Sequence, residues 1–269
     1  MRLATIVEGD SKRTVVVRDG RYLPVDPSGS GALRPFAAGG PEVLQRLRRW
    51  VDAQADESWQ SLEGVGFGPA VRDPRAIYTI GLNYGSDGPG PERPPRPLVY
   101  GKLPTSVAGH GATLTWDRSL TPNVDAECEL GVVVGASGSV FGYTIVNDIS
   151  SRDEWLDGDQ WLLGKSMSGF CPVGPWVVTA DELDPSDLGL GCTINGESIQ
   201  DGRTSQMRFS IAEVIAYLGR HVELRPGDLV VSGTPPRLVT PPGPDRHLQP
   251  GDIVSCWIEG IGELTTHVA

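Results

Sequence analysis

The sequence predicts a mostly β fold with a few helices, of the α+β class. Short apolar segments bounded by turn residues dominate the chain from Ile77 onward, among them ELGVVVG and FGYTIVND. Asn195-Gly196 is typical of a β-hairpin, and Pro226-Gly227 and Pro250-Gly251 favour type II turns that each lead into a strand. We interpret the segments around the two Pro-Gly turns as paired sheet elements. Helices do not alternate regularly with strands, so a doubly wound α/β fold is disfavoured.

The N-terminal part of the chain predicts three strands, with the sequences ATIVE, RTVVVRD and RYLPV. Asp19-Gly20 provides a turn before the third strand. Loop residues gather again between Gly64 and Pro74. We therefore expect a small N-terminal α/β domain over residues 1–70 and a larger domain over residues 71–269.

Two segments carry the apolar spacing of amphipathic helices. Residues 41–54 place one set of apolar side chains on a single helical face: Val43, Leu44, Leu47, Trp50 and Val51. Ser210 and Glu213 form a capping box that predicts the start of the second helix. Its apolar positions are Ile211, Val214, Ile215, Leu218 and Val222.

The composition and net charge of the chain disfavour several classes of protein. With 269 residues, 39% hydrophobic, the chain can bury a sizeable core, and its net charge of −11 disfavours a nucleic acid partner. The sequence has neither a membrane-spanning apolar run nor the apolar core of a signal peptide, so we expect a cytoplasmic protein without a membrane partner. Its four widely spaced cysteines are then expected to be reduced, partly buried thiols. Only three of the 23 basic residues are lysines, which favours a specific role for each lysine that is kept.

Acidic residues at two neighbouring strands predict a metal site. Glu127 and Glu129 open a strand-like run, and because side chains alternate along a strand, both project to the same face. Cys128 then points the other way, into the core. Asp148 ends the next apolar strand, so its carboxylate joins the two glutamates if the strands are neighbours. Three carboxylates without His or Cys favour Mg²⁺, or Mn²⁺ or Ca²⁺, over zinc or copper, although Glu-x-Glu alone also fits solvated acids at a strand edge.

The chain from about residue 77 to its end resembles the fumarylacetoacetate hydrolase family. The resemblance rests on short motifs that occur in the family's order. They are Gly81-Leu82-Asn83-Tyr84, Lys102-Leu103-Pro104-Thr105-Ser106, Glu127-x-Glu129, Asn147-Asp148 through Asp153, Gly164-Lys165-Ser166 through Pro175, and Ser232-Gly233-Thr234-Pro235. Each motif is short, but their joint order is specific to the family.

The resemblance implies a fold, an assembly and a set of site residues. The fold is the family's mixed β-sandwich roll, usually a homodimer, with Glu127, Glu129 and Asp148 as ligands of Mg²⁺ or a similar ion. Lys165 takes the place of a lysine that contacts the substrate near the metal. The implied substrate-binding residues are Tyr84, Lys102, Arg152, Gln160 and Thr234. The family's substrates are small oxo-acids or 1,3-dicarbonyl compounds, and its activities share the stabilisation of an enolate.

The loop after Asn83-Tyr84 departs from the hydrolytic members of the family. In those members a lid helix carries a His and, three residues later, a Glu that together activate water. Here Asp87 stands in the place of the histidine and Gly90 in the place of the glutamate. Glycine and proline at this density disfavour a lid helix, and an exposed Asp87 is a far weaker base than imidazole. Glu92 and His110 are other candidate bases, although no motif places either of them, and His110 is better explained as a loop residue.

Three functions follow from these observations. The first is a metal-dependent isomerase or decarboxylase in which the metal and Lys165 stabilise an enolate. The second is a hydrolase of C–C bonds in acylpyruvate-type substrates, with a base rebuilt from Asp87 or Glu92. The third is a homologue that binds metal and ligand without catalysis. A Pro-rich segment from Pro235 to Pro250 is expected to rim the same site and to shape its specificity.

Overall fold

The computed structural model describes residues 1–26, 30–85, 94–153, 156, 159–238 and 247–269. Within these residues the chain is mostly β, as the sequence predicts, and most strands belong to two sheets. Three residues singled out at the lid position, Asp87, Gly90 and Glu92, lie outside the described residues.

The larger sheet contains twelve strands in the described part of the chain. Ten of them run in the order β4-β3-β2-β1-β14-β12-β11-β17-β6-β7, while β5 pairs with β1 and β8 pairs with β14. Their bounds are β1 Arg2–Glu8, β2 Ser11–Arg18, β3 Arg21–Pro24, β4 Gln60–Ser61, β5 Gly66–Phe67, β6 Ile77–Gly81, β7 Leu98–Lys102, β8 Val107–Ala108, β11 Cys128–Val134, β12 Val140–Asn147, β14 Cys171–Thr179 and β17 Leu229–Val231.

The smaller sheet has the strand order β16-β15-β18-β19-β9, and β10 and β13 form a separate pair. These strands are β9 Ala112–Leu114, β10 Val124–Asp125, β13 Ser150–Ser151, β15 Gly189–Ile194, β16 Glu197–Arg203, β18 Ile253–Ile258 and β19 Gly262–Val268. The described α-helices are α1 Arg34–Ala38, α2 Gly40–Asp52, α3 Trp161–Gly164 and α4 Ile211–Gly219. Short 3-10 turns occur at Asp56–Ser58, Pro104–Ser106, Ala136–Gly138 and Thr204–Gln206.

The predicted N-terminal strands join the larger sheet. β1, β2 and β3 form an antiparallel meander, and β1 also pairs with β14, with Leu3 opposite Val177. Asp19 and Gly20 both have positive φ at the β2–β3 turn, as expected of a tight hairpin. The first strands of the chain are therefore hydrogen-bonded to the sheet that carries the predicted metal ligands.

The predicted turns form, but the two Pro-Gly turns serve different sheets. Asn195 and Gly196 have positive φ and connect β15 to β16. Gly227 and Gly251 have φ of 87° and 89°, which fits a type II turn. The first turn leads into β17 of the larger sheet and the second into β18 of the smaller one, so the two segments do not pair with each other. Local turn chemistry is the same at both sites, whereas the partner of each strand is set by the topology.

Both predicted helices form, with one misplaced side chain in each. The helix predicted over residues 41–54 is α2, in which Val51 is buried, but Trp50 is 45% exposed. Ser210 and Glu213 make the predicted capping box at the start of α4. This helix ends at Gly219, so Val222 lies beyond it and is 38% exposed. In the described residues, no helix combines the length and apolarity that a membrane crossing would require.

The main core lies where the two sheets pack face to face. Leu130 and Ile145 of the larger sheet and Leu190, Ile194 and Val254 of the smaller sheet belong to one cluster of fully buried side chains. Burying each such side chain contributes roughly 1.5–3 kcal/mol relative to leaving it exposed. This packing fixes β11 and β12 against the smaller sheet, which positions the site described below.

All four cysteines are free and fully buried, more deeply than the partial burial that the sequence predicts. Cys128 points into the core as predicted. Cys192 and Cys256 are directly opposite each other on β15 and β18, with their Sγ atoms 3.8 Å apart. These thiols act as small apolar side chains between the sheets.

Replacing Ser210 with alanine tests the helix cap. Ser210 Oγ accepts a hydrogen bond from the Glu213 amide at 3.3 Å, and Glu213 in turn accepts from the Ser210 amide at 2.8 Å. We expect Ser210→Ala to lower the free energy of unfolding by about 1 kcal/mol, measured by urea denaturation. Ser186→Ala, at an exposed serine in a loop, is the control and should change it by less than about 0.5 kcal/mol. Equal losses in the two variants would contradict the capping role.

Candidate metal centre

Two neighbouring strands bring the three predicted carboxylates together. β11 and β12 are antiparallel partners, with Cys128 opposite Asn147, and the Asp148 amide donates to the Glu127 carbonyl at 2.8 Å. One carboxylate oxygen from each of Glu127, Glu129 and Asp148 lies within 4.8 Å of the others. The alternation that the sequence indicates therefore places both glutamates on the side of Asp148.

Lysine and arginine neutralise two of the three carboxylates. Lys165 Nζ donates to Glu127 Oε2 at 2.8 Å and to Asp148 Oδ2 at 2.9 Å, and it also bonds Ser150 Oγ. Arg152 pairs with Glu127, and Lys102 pairs with Asp148. Burial opposes ionisation of Glu127, but Lys165 and Arg152 outweigh it and lower its pKa to about 2. Glu127 is therefore ionised at neutral pH.

Within the part of the chain that the structure describes, no lysine or arginine forms an ion pair with Glu129. Among the described residues, the one hydrogen bond to its carboxylate comes from the Gly233 amide. Its side chain is deeply buried, and burial followed by the charges of Asp148 and Glu127 raises its pKa well above the usual glutamate value. The arrangement therefore leaves one buried carboxylate that requires either a proton or a cation.

The loop that contacts Glu129 requires glycine. Gly233 has φ of +94°, and a Cβ there would lie 2.8 Å from the Ile80 carbonyl oxygen. Asn83 fixes this loop because its amide Nδ2 donates to the Ser232 carbonyl at 2.8 Å and to the Phe209 carbonyl at 3.1 Å. Asn83 thus stabilises the conformation of the loop whose Gly233 amide binds Glu129.

A cavity of about 450 Å³ opens above the carboxylates. Its wall includes Lys165 beside the aromatic rings of Tyr100 and Trp161, whose centroids are 4.9 Å apart, with the Lys165 ammonium 5.4 Å from the Tyr100 ring. The Tyr84 hydroxyl is buried and makes no hydrogen bond within the described residues, although its side chain lines the cavity. A cavity wall of this composition suits a small polar ligand.

Residues 76–269 match the family model for the C-terminal domain of fumarylacetoacetate (FAA) hydrolase. The chain belongs to the fumarylacetoacetate hydrolase family. The match includes the smaller sheet, the strands of the larger sheet from β6 onward and all three carboxylates, so it covers the site.

Solved structures similar to this chain include three that cover 100% of it. The fumarylacetoacetate hydrolase of psychrophilic Exiguobacterium antarcticum is 28% identical, with a TM-score of 0.86 over 99% of that chain. The 2-hydroxyhepta-2,4-diene-1,7-dioate isomerase of Mycobacterium marinum is 27% identical, with a TM-score of 0.75 over 98% of that chain. The maleylpyruvate hydrolase of Sphingobium sp. SYK-6, solved with manganese(II) ion and pyruvate, is 23% identical, with a TM-score of 0.81 over 99% of that chain. At that last identity the likeness is one of fold alone, whereas the first two proteins are named as enzymes and support an enzymatic function.

The structure places four of the predicted contact residues in the cavity wall: Tyr84, Arg152, Lys165 and Thr234. Lys102 lies behind Asp148 instead, with its side chain fully buried and its ammonium bonded to Asp148 and to the Ile149 carbonyl. This placement suits a residue that holds Asp148 better than one that contacts a substrate. Gln160 directly precedes α3 and is absent from the wall of this cavity in the described part of the chain.

Sequence reasoning missed a second charged group at the mouth of the cavity. Asp125 accepts from Arg152 Nε at 3.2 Å, pairs with Arg237 Nη1 at 2.7 Å, and lies 2.8 Å from His247 Nδ1. Arg237 follows two prolines of the predicted Pro-rich rim, and Pro235 and Pro236 do line the cavity, while residues 239–246 lie outside the described ranges. His110, in contrast, binds the Thr265 amide and lines a different surface pocket.

The three carboxylates fit a divalent cation of the hard, oxygen-preferring class. Their donors are all carboxylate oxygens within 4.8 Å of one another, a set that suits Mg²⁺, Mn²⁺ or Ca²⁺. Burial and the charges of Asp148 and Glu127 raise the pKa of Glu129, so this point of the structure favours either a proton or a cation. A cation bound here would meet that need without protonating the ligand.

Replacing Gly233 with alanine tests how the loop supports Glu129. We expect Gly233→Ala to lower the free energy of unfolding by about 1–3 kcal/mol, because the positive φ and the close contact both oppose a side chain. The displaced amide should also weaken Mn²⁺ binding about tenfold, measured by electron paramagnetic resonance.

Gly251→Ala is the matched control for Gly233→Ala. Gly251 has φ of +89° but nothing within 4 Å of its Cβ position. It should therefore show the conformational cost alone, with native affinity for Mn²⁺. Native affinity in Gly233→Ala as well would contradict the role of the loop.

Proposed function

We propose that this chain is a divalent-metal-dependent enzyme that stabilises the enolate of a small oxo-acid or 1,3-dicarbonyl substrate, as an isomerase or decarboxylase. The observation that carries the proposal is Glu129, a buried carboxylate held by one backbone amide beside two other carboxylates. Membership of the family and the similarity to a named hydrolase and a named isomerase support chemistry of this kind.

Glu127, Glu129 and Asp148 would hold the ion. When bound, a divalent ion supplies Lewis acidity toward substrate oxygens. The protein holds two of these ligands through separate cations, since Lys102 is bonded to Asp148 and Arg152 to Glu127. Bonds of this kind orient the carboxylates and limit their movement. Ligand geometry is then set before any substrate enters.

Lys165 supplies fixed positive charge at the cavity wall. Burial alone would lower the pKa of Lys165, but Asp148 and Glu127 outweigh this effect and raise it well above the usual value. The ammonium therefore keeps its proton at neutral pH and does not act as a base. Positive charge beside the carboxylates stabilises negative charge that develops on a substrate oxygen during enolate formation.

Tyr84 is the candidate hydrogen-bond donor to the substrate. Its side chain lines the cavity, and its buried hydroxyl makes no hydrogen bond within the described residues. Burial, followed by the nearby charge of Glu129, raises the pKa of Tyr84, so the phenol keeps its proton. A buried hydroxyl without a partner is costly, and a substrate oxygen would satisfy it.

The type of reaction follows from the sequence at the lid position. Asp87 and Gly90 stand where hydrolytic members of the family carry the His and Glu that activate water. Without that pair, no residue would activate water for addition to the substrate. An enolate would instead be reprotonated in an isomerisation, or would form by loss of carbon dioxide in a decarboxylation. The chain would then catalyse isomerisation or decarboxylation.

Replacing Glu129 with glutamine tests the metal requirement. The native protein should gain stability with Mn²⁺, by about 2.7 kcal/mol at a concentration one hundred times its dissociation constant, measured by thermal unfolding. Glu129→Gln should lose this gain together with metal-dependent turnover of oxaloacetate. In EDTA the variant should be at least as stable as the native protein, because an amide removes one charge from the repelling cluster.

The exposed Glu42→Gln is the control for this experiment and should behave like the native protein in both conditions. An Mn²⁺-dependent gain in stability that persists unchanged in Glu129→Gln would exclude Glu129 as a ligand.

Turnover in ¹⁸O-labelled water distinguishes the two classes of reaction. Acetylpyruvate is a suitable probe because its hydrolysis releases acetate that carries one ¹⁸O in the new carboxylate. We expect metal-dependent enol–keto conversion, measured by ultraviolet absorbance, without labelled acetate, measured by mass spectrometry. Labelled acetate formed at a metal-dependent rate would instead identify the chain as a C–C hydrolase with a different base.

A further inference from the structure

We propose that Gln200 is a positioning residue of the metal centre, which locks the backbone between the two ligand glutamates onto the loop that holds Glu129. This inference rests on the proposed function. Gln200 belongs to β16 of the smaller sheet, although the three carboxylates come from the larger sheet. Its side chain therefore connects the two sheets at the metal centre.

Both the oxygen and the nitrogen of the Gln200 carboxamide form hydrogen bonds. Its Oε1 accepts a hydrogen bond from the Cys128 amide at 2.9 Å. Its Nε2 donates to Thr234 Oγ1 at 2.7 Å and to the Pro235 carbonyl at 2.7 Å. Exchanging the two ends would oppose donor to donor and acceptor to acceptor, so the partners define one orientation. The residue is fully buried, and its bonds to the Cys128 amide and the Pro235 carbonyl are shielded from water.

Thr234 completes a closed ring of hydrogen bonds. Its hydroxyl accepts from Gln200 and donates to the Cys128 carbonyl at 2.9 Å. The amide and the carbonyl of Cys128 are both held in this way. The first belongs to the peptide that follows Glu127 and the second to the peptide that precedes Glu129. Movement of either ligand's backbone would break a bond in the ring.

The ring substitutes for pairing with a neighbouring strand, which does not extend as far as Cys128. On this side of β11 the neighbour is β17, whose pairing covers only Gly131 to Val133 of β11. Toward Cys128 the pairing is followed by a bond from the Ser232 amide to the Leu130 carbonyl. At Cys128 the backbone would otherwise present an unpaired amide and carbonyl in a buried region. Gln200 and Thr234 satisfy both groups with side chains.

β16 also carries the loop itself. The Leu238 amide donates to the Ile199 carbonyl at 2.9 Å, and Arg237 forms a bridge with Gln200. A Cβ on Gly202 would lie 2.9 Å from Pro235, so the loop packs directly on the strand. The smaller sheet thus supports the segment that begins with Gly233 and ends at the rim of the cavity.

The ring changes the role expected for Thr234. The family resemblance implies that Thr234 contacts the substrate, and the residue does line the cavity. Its hydroxyl proton, however, is donated to the Cys128 carbonyl. We therefore assign the Thr234 hydroxyl to the support of β11, together with Gln200.

A double-mutant cycle with Gln200→Met and Thr234→Val tests the ring. Hydrogen exchange of the metal-free protein should become at least about tenfold faster at the Cys128 amide in Gln200→Met, because its acceptor is lost. Each single variant should bind Mn²⁺ about tenfold more weakly, and the double variant no more weakly than the worse single one. Thr234→Ser keeps the hydroxyl and should retain native affinity.

Asn195→Ala is the matched control. Asn195 also uses both ends of its amide, since it bonds Asp252 at 2.8 Å and the Ile253 amide at 2.8 Å within the smaller sheet. Asn195→Ala should lower the free energy of unfolding and leave the affinity for Mn²⁺ unchanged. Thr234→Val tests the same ring if Gln200→Met does not fold.

Two results separate the failure of this inference from the failure of the proposed function. Native Mn²⁺ affinity and native exchange at Cys128 in Gln200→Met would overturn the positioning role. Faster exchange in the variant, with no Mn²⁺ binding even by the native protein, would overturn the proposed function and leave the ring as a structural support.

Discussion

The mutual repulsion of three carboxylates is the constraint on which the rest of the site depends. Glu127 pairs with Arg152 and Lys165, and Asp148 pairs with Lys102 and Lys165. Glu129 has the Gly233 amide as its hydrogen-bond partner within the described residues and sits beside two negative groups. A structure that buries such a group without a cation loses stability, so the arrangement is best explained by a bound divalent ion.

Each of the two sheets contributes a different part of this centre. β11 and β12 of the larger sheet supply the carboxylates in register, while β16 of the smaller sheet supports the loop above them. The core between the sheets fixes their distance, and Gln200 carries that constraint to the ligand strand through hydrogen bonds. Packing far from the cavity is thereby coupled to the positions of the metal ligands.

Much of the fold and part of the site follow from local sequence patterns. Alternation along one strand predicts the shared face of Glu127 and Glu129, and the capping box predicts the start of α4. These features depend on residues close together in the chain, for which spacing alone determines geometry. The end of a helix is less well determined, as the exposed Val222 beyond α4 illustrates.

The remaining features depend on contacts between distant parts of the chain. Gln200 is 72 residues from Cys128, and Arg237 reaches Asp125 only because the loop after Gly233 returns to the cavity. The family motif identifies Lys102, but only the packing shows that its side chain lies behind Asp148. Pairing between strands decides each of these cases, and a local pattern does not specify the partner strand.

Anomalous diffraction from crystals soaked in Mn²⁺ would locate a cation between the three carboxylates. We expect one strong anomalous peak in contact with carboxylate oxygens of Glu127, Glu129 and Asp148. Crystals that show no peak between these residues, with the Glu129 side chain still directed toward Asp148 and Glu127, would contradict it.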